Sequence, residues 1–194
     1  NPMRRAPSWR APRTASEAAR QLLASTDAVT RQRAARAIAG ICPANFAARQ
    51  GAAVRQLVEM LGKRDGESEV ASALAMSRLS GGAQNNVVLA RAGAIPPLVK
   101  LLKALGPARP YAAEALRRVV GSGPASVVAT VVEAGAIPSM VDVLLAEPTS
   151  SPAAQAAVDA LSHFLDTAQE GRHRATIQKA GAIPPLCALL RAGE

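Results

Sequence analysis

Three copies of one phrase recur along this chain: Gly93-Ala94-Ile95-Pro96-Pro97-Leu98-Val99-Lys100-Leu101-Leu102, Gly135-Ala136-Ile137-Pro138-Ser139-Met140-Val141-Asp142-Val143-Leu144, and Gly181-Ala182-Ile183-Pro184-Pro185-Leu186-Cys187-Ala188-Leu189-Leu190. A weaker copy opens at Gly51-Ala52-Ala53-Val54, so the leading glycines step by 42, 42 and 46 residues. A period of about forty residues marks stacked supersecondary units, none able to bury its apolar face alone.

The phrase reads as a corner between helices. Glycine after a short helix supplies a left-handed backbone, the residue before proline is pushed extended, and proline fits the first turn of the next helix, where a missing N–H costs nothing. After the corner, Ile95, Leu98, Leu101 and Leu102 fall on one helical stripe. Each unit then passes through a Gly/Pro/Asp-containing break into a longer helix, over 67–80, 108–120 and 153–167, which makes three helices per unit. Second helices are expected to start near Ser16, Ala52, Ile95, Ile137 and Ile183. The longer third step is expected to place its extra residues in the proline- and serine-rich stretch 146–152.

At these residues the chain resembles the armadillo repeat family, over roughly residues 14–194. The resemblance implies an all-α fold, a right-handed α-solenoid of about four repeats. Its units begin near 14, 51, 93, 135 and 181, the last incomplete, behind a basic arm at 1–13. It fits better than the two-helix HEAT pattern, which has no need of this glycine-proline corner. In armadillo proteins that bind extended peptides, the third helix carries Trp and, four residues on, Asn. Aligned on their Ala-rich starts, the third helices here put Arg36, Leu74, Glu114 and Asp159 at the Trp place, and Gly40, Arg78, Arg118 and His163 at the Asn place. No family residue matches, so the backbone-clamping mechanism does not carry over. What remains is a ladder of donors, Arg78, Arg118 and His163, with Arg117 beside it and Arg36 in the first unit. Two readings stay open: a surface for an acidic partner, or solvated groove charges.

Charge is distributed unevenly. Residues 1–50 hold nine arginines against two acids, a net +7, which leaves +2 for residues 51–194 out of the total +9. The segment Asn1–Arg13, with Arg4, Arg5, Arg10, Arg13 and the single Trp9, is by composition an unfolded basic arm. Such an arm suits an anionic protein surface, nucleic-acid phosphate or acidic lipid. A linker or an organelle-targeting remnant has the same composition. No apolar stretch reaches eighteen residues, so no membrane span is expected and the chain reads as soluble. Cys42 and Cys187, the latter in the place of Val99, read as small buried hydrophobes in an intracellular, most simply cytoplasmic, protein.

Catalysis finds no foothold. The histidines, His163 and His173, have no nucleophile motif beside them, and no lysine follows Gly121-Ser122-Gly123-Pro124, which reads as a loop between units. Glu67, Glu69, Asp159 and Asp166 read as helix-start and exposed-face charges. No cofactor or metal is implied. The expected function is a non-catalytic protein-interaction scaffold or adaptor with an acidic protein partner. Alternatives are a nucleic-acid-binding module, disfavoured by only four aromatic residues, and the substrate-recruiting segment of a ubiquitin-ligase-type enzyme. Since Asn1 is not Met and no third helix follows Leu190, the chain is expected to be part of a longer protein or to dock end-on in an assembly.

Overall fold

A computed structural model describes residues 23, 27–41, 51–63, 65–166, 172–184 and 187. The arm and the expected start at Ser16 lie outside them, as do Cys42, Leu186, Leu189 and Leu190. Among the described residues there is no strand. The helices are α1 (Ala28–Ile41), α2 (Gly51–Gly62), α3 (Gly66–Leu79), α4 (Ala83–Arg91), α5 (Ile95–Lys103), α6 (Arg109–Ser122), α7 (Ala125–Glu133), α8 (Ala136–Ala146), α9 (Pro152–Asp166) and α10 (Arg172–Lys179).

The corners follow from local chemistry. Gly93, Gly135 and Gly181 have φ of 78°, 78° and 77°, and no other residue type among those described has positive φ. At the first corner the Gly93 N–H donates to the Ala90 carbonyl and the Ala94 N–H to that of Leu89, both at 3.0 Å. These two bonds satisfy two of the carbonyls left free at the end of α4. The third corner repeats the pattern from Gly181 to Gln178 and Ala182 to Ile177. Across the second, α7 and α8 are bent by 64°. The extended residue expected before Pro96 is absent: Ala94 has φ −71° and ψ −25°, and Ile95 already lies in α5. Burial explains this, since Ile95 is fully enclosed, and enclosing an isoleucine contributes about 1.5–3 kcal/mol, enough to outweigh the local pre-proline preference.

Two layers run through the molecule. The third helices α1, α3, α6 and α9 stack one on the next, and the second helices α2, α5 and α8 form a parallel file packed against α3, α6 and α9. The short helices α4 and α7 touch α6 and each other. The third helices bury small residues, among them Ala34, Ala35, Ala73, Ala75, Ala112, Ala113, Ala115 and their successors in α9. Methyl groups let the backbones approach closely, and a continuous core results from units that have none of their own. Among the described residues no single helix is long and apolar enough to cross a membrane.

Three expectations are corrected. The linker after α8 has five residues (147–151), the same as the five (104–108) after α5, so the added residues of the third step do not sit there. Residues 167–171, between α9 and α10, lie outside the described residues. Gly121 and Ser122 are helical, not loop. Cys187 is exposed, unlike the buried Val99. Ile183 is 53% exposed where Ile95 and Ile137 are enclosed. Val99 lies in a helix packed under α6.

Candidate functional site

The burial pattern fixes the register of the third helices. Ser72, Ala73, Ala75, Met76 and Leu79 of α3 correspond to Ala112, Ala113, Ala115, Leu116 and Val119 of α6, and to Ala153, Ala154, Ala156, Ala157 and Ala160 of α9; all are buried. In α1, Ala34, Ala35 and Ile38 match Ser72, Ala73 and Met76. The face turned away from the second helices therefore carries two files of side chains. One is Arg36, Leu74, Glu114 and Gln155; the other is Gly40, Arg78, Arg118 and Asp159.

This corrects the expected ladder in the last unit. Asp159, not His163, succeeds Arg118. His163 stands one turn further on, half-buried, its Nε2 against Gly121. Arg36 and Arg78 are exposed, and a terminal nitrogen of Arg118 lies over Gly81 at the end of α3. Of the five expected groove residues, Arg117 and Arg118 share the Glu114 carboxylate, while Arg78 lies on α3 and Arg36 on α1. The arm residues Arg4, Arg5, Trp9, Arg10 and Arg13 lie outside the described residues.

Glu114 organises the arginines. Its carboxylate accepts from Arg117 Nε at 2.7 Å and Arg117 Nη2 at 2.9 Å, and from the Arg118 Nε as well. The Arg117 hydrogen bonds hold the Glu114 carboxyl below the usual glutamate range, ahead of the opposing effect of burial. The same bonds raise the Arg117 guanidinium. One carboxylate thus fixes two guanidinium groups at adjacent places on α6. Among the described residues the terminal nitrogens of Arg118 have no acceptor, so a held arginine keeps donors to offer. Half-buried surface ion pairs of this kind add modestly to stability but restrict orientation.

Between α6 and α9 the face sinks into a hollow of about 440 Å³, lined by Tyr111, Glu114, Arg117, Gln155 and Asp159, with Pro110 and Pro152 at one end. Tyr111 and Gln155 were missed as site residues; only the α9 register reveals them. The charge changes sign along the files, from Arg36, Arg78 and Arg118 to Asp159. Among the described residues no three His, Cys, Asp or Glu side chains are grouped to hold a metal.

No family model matches the sequence, and no curated protein matches it. Solved structures do. A designed armadillo repeat protein superposes with a TM-score of 0.79 at 26% identity, covering 89% of this chain and 73% of its own. A second, solved in complex with the peptide (KR)4, gives 0.78 at 25% identity over 88% and 72%. A structure described only as an engineered protein gives 0.80 at 28% over 91% and 72%. The chain is an armadillo-type repeat solenoid.

Proposed function

We propose that this chain is a non-catalytic interaction scaffold that holds an extended polypeptide along the third-helix face, as an adaptor within a larger assembly. The observation that carries this reading is the row of Arg78, Arg118 and Asp159 on three stacked helices, with Arg36 in the neighbouring row on α1 and Glu114 bonded to Arg118. The similar designed protein binds a peptide of alternating Lys and Arg. Here the files begin with arginines, so the preferred segment is acidic where it meets α1, α3 and α6, and basic or amide-bearing opposite Asp159. Many modest contacts along a rigid surface suit such a ligand, and the arginine files steer its approach.

Fluorescence anisotropy with an acidic peptide ending in lysine, against a uniformly basic peptide, tests the reading. The acidic peptide binds more tightly, and replacing Arg36, Arg78 and Arg118 together with Ala removes both the binding and its salt dependence. Equal affinity for the two peptides, or retained binding by the triple variant at low salt, rejects it.

A further inference from the structure

Successive units are not joined alike. Between the third and fourth, Arg109 is 5% exposed. It donates Nε to the Ala104 carbonyl and a terminal nitrogen to Glu147, each at 2.9 Å. The Ser151 hydroxyl donates to the other Glu147 oxygen at 2.6 Å. The register that pairs Ala75 with Ala115 pairs Glu69 with Arg109. The place of Glu147, at the end of α8, is held after α5 by Ala104, each with an extended backbone.

One junction earlier, then, a carboxylate and a methyl group stand where the later junction has a guanidinium and a carboxylate. Among the described residues no ion pair closes the gap. A cleft of about 610 Å³ is left, lined by Leu61, Glu69, Pro97, Lys100, Leu101 and Ala104. Gly62 and Gly66 form part of its wall, and an ideal Cβ on either meets nothing within 4 Å. Among the described residues the Glu69 carboxylate has no hydrogen-bond or ion-pair partner, nor has the ammonium of Lys100.

We propose that this cleft binds an arginine side chain of a partner polypeptide. A guanidinium offers two parallel N–H groups to one carboxylate, a geometry that an ammonium lacks. Its three-carbon stem lies against Leu61, Pro97 and Leu101, which suits a side chain apolar along its length and charged at its tip. The occupant thereby supplies from outside the kind of group that Arg109 supplies from within at the next junction. Lys100 on the rim narrows the choice: it repels a run of cations and favours a single arginine beside a neutral or acidic residue. The cleft lies away from the arginine files, so this inference stands apart from the proposed function.

The test titrates the full chain with a labelled peptide, Ala-Asp-Arg-Leu-Ala, and with its citrulline counterpart, which keeps the shape and removes the charge. Citrulline and Glu69→Gln each weaken binding roughly tenfold, about the loss of one charge-assisted hydrogen bond. Glu69→Arg places a guanidinium in the cleft from the chain itself and abolishes binding, whereas Arg91→Ala, at an exposed place on α4 outside the cleft, leaves it unchanged. Amide NMR shifts appear at Gly62, Gly66 and Leu101. Absence of binding at millimolar peptide, equal affinity for the citrulline peptide, indifference to both Glu69 variants, or shifts centred on Tyr111 and Asp159 overturns the proposal.

Discussion

His163 rests its imidazole on the bare backbone of Gly121, with Nε2 3.0 Å and Cδ2 3.3 Å from where a Cβ would stand. The contact joins α9 to the last turn of α6 and explains why His163 is half-buried rather than aligned with Arg118. Two residues on, the Cβ place of Gly123 lies 2.4 Å from the Val119 carbonyl oxygen.

These two glycines answer oppositely to the same change. In Gly121→Ala a helical residue gains about 1 kcal/mol of propensity, offset by displacing the tip of a side chain, so stability stays within about 1 kcal/mol and the His163 ring resonances shift. In Gly123→Ala the obstacle is backbone that caps α6 through the Gly123 N–H to Val119 bond at 2.8 Å. A loss of about 2 kcal/mol or more is expected. Urea denaturation of both variants checks the contrast; equal midpoints would refute it.

The corner glycines pose a purely conformational question. No atom lies within 4 Å of an ideal Cβ on Gly135, yet its φ is 78°. Gly135→Ala should cost about 1–2 kcal/mol, the left-handed penalty alone, and Gly135→Asn less, since Asn tolerates that region. Thermal melts of the two variants distinguish backbone strain from crowding.

Removing the guanidinium at the last junction leaves Glu147 partly enclosed without its cation. Arg109→Met keeps much of the volume, loses two hydrogen bonds, and should destabilise the chain by about 2–3 kcal/mol. Hydrogen exchange should quicken mainly in α8 and α9. Uniform acceleration along the chain would show that the units unfold as one block.

Because the Glu114 carboxyl is held below its ordinary range by Arg117, the native state favours the ionised form. The contribution is complete above the unfolded glutamate range and is lost as pH falls through the lower, folded value. Carboxyl NMR should give a Glu114 midpoint below that of a model peptide, with the Arg117 and Arg118 side-chain signals broadening together on acidification. A midpoint at or above the peptide value contradicts the clamp.

The corners were legible in the sequence because glycine and proline act within a few residues, and Gly93, Gly135 and Gly181 have the same φ. The register of α9 was not. Shifting that helix by one turn still lays Ala157, Ala160, Leu161 and Phe164 on the core side, so an apolar stripe cannot tell His163 from Asp159 as successor to Arg118. Only packing against α6 decides it. Glu69 was equally opaque: it reads as an ordinary charge near a helix start until Arg109, bonded to a residue 38 positions away, reveals what its place in the register does.

The alanines along the stacked third helices have one more effect. A methyl group is the thinnest spacer a side chain provides, so each alanine acts as a shim setting the tilt of one helix on the next. Thickening a single shim, as in Ala115→Leu, would drive a wedge into the stack and rotate every unit beyond it. The distance from Arg78 to Arg118 to Asp159 would then change with no side chain on that face altered, which makes the ruling of this surface a property of the layer behind it.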